Sequence, residues 1–281
     1  MPDYRSGDDV LADARLRLSA LGQNRGIVVL EGSDDRRLLG PHLASLNQIV
    51  VAGGKPKLLN AYRRRSDSDT GRIVFITDCD YDVSAGHLVA GVPDLILTSH
   101  ADLEADLVTQ GLVRRVVAEL VPNSLESDDS LSRITDHVVG EAFALARRVG
   151  RLRELNQTES LGLNFQDLNL SRFRTKGESP IDEPRLIEVL VQRSAGASIT
   201  VPELNERAGE IPIEQASCRG HDLVDAIGCV LRQEYRIPLG RLASIPSILR
   251  SGFDREAFEQ SGIGIRLSSW EATHGRSILR A

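Results

Sequence analysis

Two short apolar runs in this sequence end in acids. IVVLEGSDD places Glu31 directly after its run, with Asp34 and Asp35 behind a glycine, and IVFITDCDYD places Asp78 and Asp80 two residues apart. In an extended chain, residues i and i+2 point to the same side, so Asp78 and Asp80 project together. In open parallel sheets the strand C-terminal ends form the ligand crevice; if the two runs are neighbouring strands, three or four carboxylates converge there. Like charges a few ångströms apart repel unless a cation sits between them, and hard oxygen donors of this kind suit Mg²⁺ or Mn²⁺. The chemistry expected of such a site is metal-assisted phosphoryl transfer. An acid behind a strand also serves as a helix cap or turn former, and that plain role applies first to Asp34 and Asp35.

The elements that must position these acids follow from hydrophobic patterning. Apolar runs recur at 27–30, 49–51, 73–76 and 95–97, with helix-like segments near 34–46, 56–65 and 84–91 between them and an opening amphipathic helix over 8–21. Such alternation predicts a parallel sheet with helices on its faces, and strands that are apolar throughout are expected when both faces are covered. Beyond residue 100 the pattern turns helical, over 101–120, about 128–155, 182–194, 202–209 and 218–236, while 156–181 reads as loop with at most a short strand or hairpin. The predicted fold class is α/β, a Rossmann-like parallel sheet flanked by helices, with a mainly helical C-terminal region. The expected organisation is an α/β core over 1–120 and a helical region over 121–281, with 218–236 packing back on the core.

With 281 residues, 41% of them hydrophobic, the chain can build a real core. No stretch approaches the roughly 18 apolar residues of a membrane span, and the opening MPDYRSGDDV is polar and acidic, so a cytoplasmic protein without membrane contact is expected. Cys79, Cys218 and Cys229 show neither disulfide-framework nor zinc-site spacing. A net charge of −6 argues against coating nucleic acid by bulk electrostatics, but not against a nuclease, whose bound ions invert the local charge. Among the basic clusters, Arg172, Arg174 and Lys176 sit in a polar, loop-like stretch and are favoured as contacts to backbone phosphates.

The pairing of VVLEGSDD with IVFITDCDYD resembles the TOPRIM domain shared by type IA and type II topoisomerases, primases and the overcoming-lysogenization-defect nucleases. AGGKPKLLNA at 52–61, TSHADLEADLV at 98–108 and RGHDLVDAIG at 219–228 narrow the likeness to bacterial TOPRIM-like proteins found beside ABC-type ATPases in phage-defence loci. The resemblance covers about residues 26–230. It implies that Glu31 is the general acid or base of strand cleavage, that Asp78 and Asp80 are the metal-binding pair, and that Asp35 is the acid of an EGxxD variant. Glu104 falls where the family places a further acid, although a helix-surface charge fits equally. Lys55 is positioned to neutralise phosphate charge or is an ordinary loop lysine, and His221 with Asp222 either orients substrate or water or belongs to a helix start.

The resemblance further implies a toxin-like antiviral effector that cleaves DNA or RNA, a transfer RNA included among the candidates. Mg²⁺ or Mn²⁺ is its expected cofactor and an ABC-type ATPase its expected partner; a homodimer stays open. Tyr4, Tyr62, Tyr81 and Tyr235 sit in no recognisable topoisomerase nucleophile domain and there is no zinc ribbon, which leaves hydrolysis. No P-loop GxxxxGK[ST] occurs, so the chain does not hydrolyse ATP in that way itself. The alternatives are a haloacid-dehalogenase-like phosphatase, where a Thr or Ser would closely follow the DxD in place of Tyr81 and Asp82, and a non-catalytic partner-binding module.

Overall fold

The structure, a computed structural model, describes residues 4–83, 86–88, 90–122, 124, 127–175 and 181–280. The chain forms two compact units, one of residues 1–79, 89–99 and 253–281, the other of 80–88 and 100–252. Residues 253–281 thus group with the sheet-bearing segment, although they lie at the far end of the sequence.

The first unit holds the sheet. Its elements are α1 (Gly7–Ala20), β1 (Ile27–Leu30), α2 (Ser33–Leu39), β2 (Ile49–Val51), α3 (Lys55–Arg63), β3 (Ile73–Thr77) and β4 (Leu95–Leu97). The helix α1 starts where Ser6 and Asp9 exchange side-chain to backbone hydrogen bonds, a capping box. All four strands are parallel, in the order β2-β1-β3-β4, and almost every strand residue is buried, as the continuous apolar runs require. From β1 the chain crosses to β2 on one side and then returns past β1 to β3 on the other. Since both crossovers are expected to be right-handed, α2 and α3 lie on opposite faces.

The expected helix over 84–91 is absent: its described residues, 86–88 and 90–91, form turns and bends. Gly86 and Gly91 adopt φ of 72° and 77°, and the amides of His87 and Leu88 both donate to the carbonyl of Asp82, a closed loop in place of a helical ladder. The unit closes with α12 (Arg255–Gln260) and α13 (Gly262–His274), α13 packing against β4. Beyond α13, residues 277–280 run beside earlier segments: the Ser277 amide donates to Asn24, Ala44 donates to Ile278, and Arg280 donates to His42.

The second unit is helical: α4 (Leu103–Thr109), α5 (Val113–Leu120), α6 (Asp128–Glu159), α7 (Glu183–Arg193), α8 (Val201–Glu210), α9 (Gly220–Tyr235), α10 (Leu239–Leu242) and α11 (Ile245–Gly252). The 32-residue α6 is its axis, burying Val138, Leu145, Val149 and Leu152 against α5, α8 and α9. The helix α9 packs on α6 and on α4, all three within this helical unit. Arginines of the run 147–153 are held inward, Arg148 and Arg151 by Glu183 and Arg153 by Asp222. Among the described residues no helix is long and apolar enough to cross a membrane.

Candidate active site

In the first unit the strand order reverses between β1 and β3, which makes the C-terminal ends of those two strands the topological switch point. Glu31 follows β1 and Asp78 follows β3. The register aligns Leu30 with Ile76, so Glu31 comes level with Thr77, and the buried Thr77 hydroxyl donates to Glu31 Oε2 at 2.8 Å. Thr77 does not stand out in the sequence; only strand pairing reveals it as the group that aims the Glu31 carboxylate. The turn after β3 is pinned from β4, since Thr98 donates its amide to the Thr77 carbonyl at 3.2 Å and accepts the Cys79 amide on its hydroxyl at 2.8 Å.

The end of β2 completes this edge. The amides of Gly53 and Gly54 both donate to the Glu31 carbonyl, at 3.1 and 3.0 Å, with φ of 77° and 124° that residues with side chains rarely adopt. Lys55, the first residue of α3, follows directly. Asp35 accepts the Gly32 amide at 2.7 Å and so helps fix the start of α2, the capping role open to it from sequence. Asp34 is exposed and pairs with Arg37 at 2.8 Å.

The remaining predicted site residues belong to the second unit, where three of the sequence motifs meet. Asp80, in a left-handed conformation with φ of 47°, donates its amide to the Ala101 carbonyl and accepts Arg219 Nη2 on its carboxylate at 2.7 Å. Asp102 caps α4 through the Ala105 amide at 2.9 Å, and the same carboxylate takes the Gly220 amide at 2.8 and 2.9 Å, so one acid holds the first turns of α4 and α9 together. Neither Arg219 nor Asp102 is predictable as a site residue, because their partners lie 139 and 118 residues away in sequence. Glu104 lies in the first turn of α4, against Gly220 at the start of α9. Asp222 is buried and held by both Nε and Nη2 of Arg153, at 2.7 and 2.9 Å, a structural pair. His221 is exposed, with Asp225 at 3.7 Å. Arg174, favoured from sequence as a phosphate contact, is instead only 5% exposed between Glu141 and Glu234; Lys176 lies outside the described residues.

Two experiments check this junction. A Cβ added at Gly220 would lie 2.3 Å from both Asp102 Oδ1 and Glu104 Cβ, and 2.6 Å from the Ala105 nitrogen. Backbone has to move, so Gly220→Ala is expected to lower stability by about 2 kcal/mol in urea unfolding; an unchanged midpoint would refute the close packing. Burial pushes the Asp102 carboxyl up to about 6, against the opposing pull of the Ala105 and Gly220 amides, with Glu104 adding repulsion and Arg219 attraction. The folded state therefore holds this proton where the unfolded state has lost it, and the stability so gained is lost as pH rises from about 4 through about 6. Asp102→Asn, which keeps an acceptor for both amides, is expected to gain on the wild type by about 2 kcal/mol between pH 4 and pH 7, read by denaturant unfolding at each pH. Parallel pH profiles would contradict it.

Among the described residues no three or more His, Cys, Asp or Glu side chains gather into a group that could hold a metal. Mg²⁺ does not demand such a cage, since it keeps several waters and commonly binds through one or two carboxylates and the substrate phosphates. Glu31 and Asp78, which directly follow β1 and β3, are oxygen donors of the type that Mg²⁺ takes. Fold and strand-end acids define an open, parallel α/β protein with carboxylate residues directly after β1 and β3. No protein-family profile matches the chain, and no curated protein matches it.

Proposed function

We propose that this protein is a metal-dependent nuclease whose centre lies at the C-terminal ends of β1, β2 and β3. The observation that carries the reading is the pairing, at the topological switch point, of Glu31 with the Thr77 hydroxyl that orients it and the adjoining Asp78. Glu31 and Asp78 would hold Mg²⁺ or Mn²⁺, which when bound polarises the scissile phosphate and lowers the pKa of a water. Glu31 also moves a proton as general acid or base, its Oε2 held by the Thr77 hydroxyl so that the carboxylate presents one fixed face to the crevice. Lys55, at the start of α3, answers charge that builds on the phosphoryl oxygens during attack. The motif order supports a wider proposal, an antiviral effector held silent by an ABC-type ATPase.

The test is incubation of the purified chain with plasmid, single-stranded DNA and total RNA, in Mg²⁺, in Mn²⁺ and in chelator. Cleavage of at least one substrate, lost on chelation, is the expected result. Intact substrates throughout, with the protein shown to be folded, would overturn the proposal.

A further inference from the structure

We propose that a groove of about 560 Å³ on the first unit, lined by α2 and the end of the chain, holds the phosphodiester backbone of the nucleic acid; this rests on the nuclease reading and extends it. Arg36, Arg37 and Arg280 line the groove together with the hydroxyl residues Ser33 and Ser45, and no carboxylate does. In a chain of net charge −6 that arrangement is unusual, and a polyanion needs such a local reversal of sign. Arg280 also borders the neighbouring pocket, where acids are present and Arg255 is answered by Glu259 at 2.6 Å.

Arg36 and Arg280 have no side-chain partner among the described residues, and Arg37 has only the exposed Asp34, a pair that solvent weakens. Guanidinium groups present a planar fork of donors that matches two phosphate oxygens, and hydroxyls add neutral donors. Leu46 lines the groove and is 55% exposed, an apolar surface for a sugar or base. Placement is built in rather than accidental. Pairing of 277–280 beside 42–44 fixes Arg280 across from α2, and α2 starts two residues after Glu31, so a strand held in the groove is led along the helix that leaves the proposed centre.

The test compares Arg36→Gln/Arg280→Gln with Arg25→Gln/Arg255→Gln, which removes the same charge elsewhere on the unit. Affinity for a labelled single-stranded oligonucleotide is measured in chelator, where no cleavage occurs, across a series of salt concentrations. The groove variant is expected to bind about tenfold more weakly near 0.1 M salt and to lose about 1.4 from the slope of log affinity against log salt, two phosphate contacts at about 0.7 each. The control should match the wild type. Arg280→Glu, a single change at an exposed position, is expected to lose at least half as much slope and serves if the double variant unfolds. Equal slopes for groove and control variants, in a wild type that still cleaves, would overturn the groove and leave the nuclease standing. A wild type that neither binds nor cleaves nucleic acid would remove both. Thermal stabilisation by inorganic phosphate that the groove variant loses, with the oligonucleotide slope unchanged, would make this a free-anion site and overturn the strand proposal.

Discussion

Glu31→Gln is expected to reduce cleavage at least 10³-fold while leaving the fold intact. Gln keeps the volume and an oxygen that can still accept the Thr77 hydroxyl, and the Glu31 carbonyl that receives the Gly53 and Gly54 amides is untouched. What disappears is the negative charge that would help hold the cation and the basic oxygen that moves the proton. General acid–base catalysis alone contributes about 10²–10⁴-fold, and weakened ion binding adds to that loss. Raised Mg²⁺ should therefore restore only part of the activity. Thr77→Val, isosteric but unable to donate, should fall between, near tenfold, because the carboxylate survives but is no longer aimed. Single-turnover cleavage rates, with circular dichroism to confirm folding, check both. A Glu31→Gln protein that cuts at the wild-type rate would assign the activity to another centre.

Asp94→Ala is expected to be the most destabilising single change in the first unit, by about 4 kcal/mol. The Asp94 side chain is fully buried and receives the Trp270 indole N–H at 2.7 Å and the Gly71 amide at 3.2 Å, with Arg65 and His274 nitrogens at 3.9 and 3.8 Å. One carboxylate thus ties the loop before β3, the end of α3 and the helix α13 around the start of β4. Removing it strands a buried indole N–H and a buried amide and takes the counter-charge from Arg65, which keeps its hydrogen bonds to Tyr62; breaking a buried pair costs about 3–5 kcal/mol. The backbone adds to this, since Asp94 sits at φ of 61°, which Asp tolerates better than Ala. Asp94→Asn keeps the shape, the conformation and one acceptor, so about half the loss is expected. Urea unfolding measures both, and a loss below 1 kcal/mol for Asp94→Ala would show that these contacts do not cooperate. Against a typical total of 5–15 kcal/mol, 4 is a large fraction.

Legibility from sequence followed the range of the interaction. Runs such as IVVL and IVFI name their own strands, because a residue buried on both faces of a sheet has to be apolar whatever its neighbours are, and Ile27–Leu30, Ile49–Val51 and Leu95–Leu97 appear at the expected bounds. Strand-end acids were equally visible, since crevice position in a parallel sheet follows from chain direction alone. The connection over 84–91 went astray where Gly86 and Gly91 take left-handed conformations that a hydrophobic pattern does not register.

A linear reading reaches the four strands, the helical second half and the acids at Glu31 and Asp78, all of which follow from local composition and chain direction. Out of its reach lay the aiming of Glu31 by Thr77, the grip of Arg219 on Asp80, the double cap made by Asp102 and the meeting of Arg36 with Arg280. Each brings together groups tens to hundreds of positions apart, and such partners are selected by strand register and helix packing, quantities that no stretch of neighbouring residues encodes.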